Sequence, residues 1–215
     1  MIRIERGSIK LPLIFLSPGI QRLKDEAKIY YSKNYNERSQ DYFKSNHDFK
    51  ITEEIKKSVI TLFNGRCAYC ESITEGEVDQ FRPKRNARSG NGNSHPDHYW
   101  WLAYEWENQY LSCTTCNRNK GTWFPLIDNM PIYPQVMYPR VFEEKYLFID
   151  PCNDYPDDHF SYDIKNGQII PLTIRAEITI ARIKLNRPEL IRLRLLAISD
   201  QNQHLENFEV SKFSD

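Results

Sequence analysis

The sequence predicts an α+β fold from three features: helical periodicity toward both ends, a strand-turn-strand signal late in the chain, and two Cys-x-x-Cys pairs between them. The 215 residues, 40% apolar and 13% aromatic, suffice for one sizeable core with room for a small appended module. They divide into an N-terminal helical segment (1–50), a metal-stapled core (51–127) and a C-terminal hairpin and helical segment (128–215).

The N-terminal apolar stretch is broken by Pro12 and Pro18, is too short to span a bilayer and shows no cleavage pattern, so a cytoplasmic location with no membrane contact is expected. Residues 20–44 read as surface helix, interrupted near Asn34, with Leu23, Ala27, Ile29, Tyr30, Tyr35 and Tyr42 as its apolar punctuation. Thr52 followed by Glu53 and Glu54 resembles a helix start, and Ile55, Val59, Leu62 and Phe63 form its buried stripe. Gly65 ends that helix just before Cys67.

Residues 85–97 are rich in Gly, Asn and Ser and read as an exposed loop. The aromatic run that follows, with Trp100, Trp101, Tyr104 and Trp106, reads as core in preference to a base-stacking platform. A Pro- and Tyr-rich passage extends to Pro139. Asn166-Gly167 signals a hairpin, with Tyr162 and Ile164 before the turn and Ile169 after it. Two helices follow from Thr173, with Asn186 as a cap and Pro188 in the first turn of the second. Leu190, Ile191, Leu193, Leu195, Leu196 and Ile198 give that last helix more apolar surface than a solvent-facing helix needs. We therefore expect residues 172–200 and the Pro- and Tyr-rich passage to contact a partner or cover the core.

Lys plus Arg and Asp plus Glu each number 29, so no global field advertises a nucleic-acid partner, and any such binding falls to local patches. Of five cysteines, Cys67, Cys70, Cys113 and Cys116 form the two pairs, a spacing that favours one tetrahedral zinc over disulfides. Four protein ligands leave no position for water, so the metal is assigned a folding role. Cys152 is left over.

Between and around the pairs lie EVDQFRPK, WENQYLSC and CNRNKG. The order of Cys-x-x-Cys, Asp-x-x-x-Pro, Asn, Cys-x-x-Cys and Asn-x-x-Lys resembles the zinc-stapled HNH endonucleases. The phrases CAYCE, FRPK, WLAYEWEN, LSCTTCNRNKG, FIDPCND, DDHFSYD and LNRPEL resemble the branch found in retron-associated and Septu-type anti-phage systems, over roughly residues 52–200. That resemblance implies a ββα-metal core, hydrolysis of DNA or RNA phosphodiesters with Mg²⁺ or Mn²⁺, and a hetero-oligomer with an ABC- or SMC-type ATPase. It also implies roles for single residues. Asp79 and Asn117 would hold the divalent ion, and Asn108 would pin the loop carrying the base. Lys120, one turn beyond Asn117, would reach a phosphate, with Arg82, Lys84 and Arg118 as further backbone contacts.

The departure is Gln80, where the family has its general-base histidine. Glutamine cannot accept a proton near neutral pH, so the usual contribution of roughly 10²- to 10⁴-fold is expected to be missing. Three accounts stand open: a deliberate inactivating substitution, a naturally degenerate nuclease, and a base relocated to His95 or His98. Asp157, Asp158 and His159 read as a polar turn in preference to a second metal site. Two functions compete, a nuclease impaired as written and a noncatalytic module that docks an ATPase or nucleic acid.

Overall fold

The computed structural model describes residues 1–38, 43, 49–127 and 140–212, with side chains to residue 201. Tyr42 and the Pro- and Tyr-rich passage up to Pro139 lie outside the described residues. Two helices, α1 (Pro18–Tyr31) and α2 (Phe49–Leu62), precede a strand pair, β1 (Glu77–Gln80) and β4 (Gln109–Ser112). Between these strands sits a short ladder of β2 (Ala87–Arg88) and β3 (Ser94–His95). A seven-residue helix, α3 (Thr114–Lys120), follows β4 directly. The chain then forms the hairpin β5 (Phe160–Asp163) and β6 (Gln168–Pro171) and the helices α4 (Ile174–Ile183) and α5 (Pro188–Lys212). Every sheet among the described residues is a two-stranded antiparallel pair, so the architecture is mixed helix and small sheets.

Helix α2 starts one turn before the expected cap at Thr52. The extra turn buries Ile51, which joins Ile55, Val59 and Leu62 on the face packed against β1 and β4, and core burial outweighs a capping preference. Its end matches the residue types there: Gly65, with φ +64°, donates to the Ile60 carbonyl and closes the last turn. Helix α1 is shorter than the 20–44 reading, and a separate 3₁₀ turn spans Tyr35–Glu37.

Buried residues from all three expected segments meet in one hydrophobic cluster, including Leu23, Val59, Tyr110, Phe148 and Ile183. Trp101 and Trp106 are buried in it, with Trp100 and Tyr104 packed at its margin. The N-terminal segment is bound to distant parts of the chain. The Arg6 guanidinium donates to the carbonyls of Trp106 and Gln109, and Ile4 N donates to the Pro151 carbonyl.

The late hairpin turns earlier than expected. Strand β5 ends at Asp163, whose carboxylate accepts from the backbone of Lys165 and Asn166, so Ile164 falls in the turn. Gly167 has φ +65°, and a Cβ there would lie 2.8 Å from the Ile191 carbonyl, so the turn packs directly on α5. Asn186 is not a helix cap. Its amide accepts from Ile169 N and donates to Ile169 O, both at 2.8 Å, which ties the α4–α5 corner to β6. Leu190 is buried, whereas Leu193, Leu195 and Leu196 are 53%, 37% and 50% exposed. No helix among the described residues is long and apolar enough to cross a membrane.

Because Ile169 is buried, Asn186→Ala leaves two backbone groups without partners and should lower unfolding free energy by about 1–3 kcal/mol. Urea denaturation measures this, and a cost within error of zero would show that the tether contributes nothing.

Candidate functional site

The four cysteines converge as their spacing requires. Their sulfurs all lie within 4.8 Å of one another. Cys67 and Cys70 sit on a turn closed by hydrogen bonds between the backbones of Cys67 and Ser72 and from Glu71 N to the Cys67 carbonyl. Ala68 N donates to the Leu111 carbonyl and fastens that turn to β4. Cys113 caps α3, and Cys116 follows one turn later. Hydrogen bonds among the four push Cys70 and Cys113 below the ordinary thiol range and Cys67 and Cys116 above it, Cys113 being the main partner of the other three. Such a set of converging sulfurs is able to hold a metal ion such as zinc. Among the described residues no other group of His, Cys, Asp or Glu converges in this way, so Asp157, Asp158 and His159 do not form a second site. His159 instead shares a hydrogen bond with Thr173.

Alternation along β1 turns Glu77 and Asp79 toward α3. Asp79 is 6% exposed, and both of its oxygens are engaged. Tyr69, from the first cysteine turn, donates its hydroxyl to Oδ2 at 2.5 Å. The Lys120 ammonium lies 3.1 Å from Oδ1 and 3.0 Å from Oδ2, and donates to the Gln80 carbonyl at 2.7 Å. Asn117 donates its amide to Glu77, which also accepts from the Thr114 hydroxyl. The two residues expected to share a divalent ion therefore engage different partners, Asp79 with Tyr69 and Lys120 and Asn117 with Glu77.

Asn108 is fully buried at the start of β4. Its Oδ1 accepts from Arg82 N, and its Nδ2 donates to the carbonyls of Arg82 and Leu102, clamping the segment that leaves β1. Gln80, the last residue of β1, lies opposite Gln109 and donates its amide to Gln109 Oε1 at 3.3 Å. Gln109 Nε2 donates to the carbonyls of Ala103 and Glu105, which fixes its oxygen toward position 80.

Of the four cations assigned to phosphate, Lys84 and Arg118 are exposed, but Lys120 and Arg82 are fully buried. Lys120 faces inward because Asp79 and the Gln80 carbonyl sit beneath α3. Arg82 is drawn in by Glu144, whose carboxylate receives its Nε at 2.9 Å and the Tyr99 hydroxyl at 2.6 Å. His95 and His98 contact each other, and His98 also packs on Tyr99 and Trp101. Burial pushes the Cys152 thiol up to about 12, so it is an unreactive core residue.

Five residues of this neighbourhood were not picked out from the sequence: Tyr69, Glu77, Gln109, Glu144 and Arg187. Period-two alternation from Asp79 points to Glu77, and Tyr69 stands inside the first cysteine pair. Arg187 had no local signal. It reaches from the α4–α5 corner to Cys116 Sγ at 3.5 Å and Cys113 Sγ at 4.0 Å, a cation set beside the cysteine cluster.

This chain is similar to two Septu proteins of Bacillus mycoides. It is 33% identical to Septu protein PtuA over 152 residues, 69% of this chain and 21% of that protein. It is 34% identical to Septu protein PtuB over 158 residues, 69% of this chain and 52% of that protein. The chain thus spans about half, or less, of the length of these relatives. No family model matches it. No solved structure matches it.

Purified protein should carry about one zinc per chain. Cys113→Ser should lose the metal and fold less stably, because the strand pair and α3 are too short to persist on burial alone. Metal analysis with circular dichroism reads both, and a zinc-free wild type would overturn the assignment.

Proposed function

We propose that this chain is an HNH-type nuclease subunit of a Septu-type anti-phage defence system, impaired as a catalyst by Gln80 and acting with an ABC- or SMC-type ATPase in a hetero-oligomer. In this reading β1, β4 and α3 form the ββα core, stapled by zinc at the four cysteines. The observation that carries it is the Asn108 clamp. A buried asparagine ahead of the second cysteine pair grips the backbone just after Asp79 and Gln80, the task the resemblance assigns to it. Similarity to the two Septu proteins supports the defence association.

The chemistry called for is hydrolysis of a DNA or RNA phosphodiester with Mg²⁺ or Mn²⁺, and such an ion finds Asp79 already paired with Lys120. Position 80 is where the proton of the attacking water would be taken. Gln109 Oε1 is set to accept one ring N–H of a histidine there, leaving the other nitrogen free as base. The glutamine amide instead donates to that oxygen and has no basic atom to offer. Lys84 and Arg118 remain the exposed cations for backbone phosphate. The exposed leucines of α5 offer an apolar surface for the protein partner.

A second reading, a noncatalytic docking module, is favoured by the closed Asp79–Lys120 pair together with Gln80. Cleavage of DNA and RNA with Mg²⁺ or Mn²⁺, alone and with the ATPase partner, separates the two. Gln80→His should raise cleavage by roughly 10²- to 10⁴-fold, and Asp79→Ala in that background should abolish it. Equal cleavage by the chain as written and by Gln80→His would show that position 80 is not the base, and His95 and His98 would be tested next. No cleavage by either, with ATPase binding intact, would leave the docking module.

A further inference from the structure

The Asp79–Lys120 pair has the form of an occupied cation site. The ammonium straddles both carboxylate oxygens at 3.0 and 3.1 Å and takes the Gln80 carbonyl as a third oxygen at 2.7 Å. Tyr69 adds a hydroxyl on Oδ2, so the carboxylate is satisfied from two sides by groups with almost no solvent exposure. Both partners sit on elements fastened to the cysteine cluster. Tyr69 lies between Cys67 and Cys70, and Lys120 ends the helix that Cys113 caps and Cys116 anchors. A flexible surface lysine gives way to a divalent ion easily. One held inside by three oxygens does not, because withdrawal strands a buried charge on each side.

We propose that Lys120 is a resident cation that keeps Asp79 closed to divalent metal, so that the carboxylate becomes a metal ligand only when the Lys120 ammonium withdraws. The inference rests on the nuclease-scaffold reading for the role of Asp79, and it adds a latch: the chain at rest carries a monovalent organic cation where a divalent ion would act. The latch is independent of Gln80, whose side chain is bonded to Gln109 and touches the pair only through its backbone carbonyl.

Mn²⁺ binding to the zinc-loaded full chain, followed by electron paramagnetic resonance, tests this without reference to cleavage. The wild type should show no Mn²⁺ binding that depends on Asp79, so Asp79→Asn should leave its titration unchanged. Lys120→Met leaves a buried carboxylate without its counter-ion, and should gain a Mn²⁺ site at least about tenfold tighter that disappears in the Asp79→Asn/Lys120→Met double variant. Its melting temperature should rise with Mn²⁺ where that of the wild type does not. Should Lys120→Met fail to fold, the lysine side-chain resonances of the wild type under Mg²⁺ titration decide: an unmoved Lys120 signal supports the latch, and a displaced one overturns it. Asp79-dependent binding by the wild type would also overturn the latch while strengthening the nuclease reading. A folded Lys120→Met that gains no site would overturn it too, leaving the lysine as ordinary packing.

Discussion

Four cysteine sulfurs drawn to one point are the constraint on which the central part of this molecule depends. Strands β1 and β4 have four residues each and, among the described residues, form a two-stranded sheet, and α3 has seven, a length at which neither a ribbon nor a helix is stable alone. The cluster joins the turn before β1 to the helix after β4, so strand pair and helix are held as one unit. The same unit presents Asp79, Gln80, Asn108 and Asn117. A metal ion held by such a cluster would add its binding energy to folding, because the unfolded chain has no preformed site.

Around the cluster several charged side chains are buried, and each has hydrogen-bond partners. Lys120 meets Asp79, and Arg82 meets Glu144, with Tyr69 and Tyr99 hydroxyls completing the two carboxylates. Asp150 receives the Tyr110 hydroxyl, Cys152 N and the Asn153 amide. Buried pairs of this kind add little net stability over apolar packing, but removing one partner costs about 3–5 kcal/mol. Glu144 directly follows the 3₁₀ turn at Arg140–Glu143, so its pair with Arg82 ties the segment after β1 to that turn.

What could be read from the sequence follows from how local each cause is. Cys-x-x-Cys pairs, the apolar stripe of α2 and the Gly65 stop depend on neighbours a few residues away, and these are the elements whose placement the residue types describe well. Lys120 shows the limit. Its position one turn beyond Asn117 is legible, but its direction is set by an aspartate 41 residues earlier and a tyrosine inside the first cysteine turn. Arg82 is drawn inward by a glutamate 62 residues away, and Asn186 leaves its expected cap for a strand backbone 17 residues back. A polar residue read from sequence carries its chemistry but not its partner. Arg82 and Lys120 read as cations for phosphate, and in the structure both side chains lie buried against carboxylates.

The same distinction separates position 80 from its neighbours. Asp79, Asn108 and the four cysteines each join at least two elements, so substitution there disturbs folding as well as chemistry. Gln80 is different. It is partly buried at the end of β1, and its side chain makes one cross-strand hydrogen bond at 3.3 Å to Gln109, which keeps its own bonds to Ala103 and Glu105 regardless. The stability at stake is that of a single neutral hydrogen bond, about 1 kcal/mol. Position 80 can therefore change with little effect on structure, and the cysteine cluster and the buried pairs around it keep their own contacts.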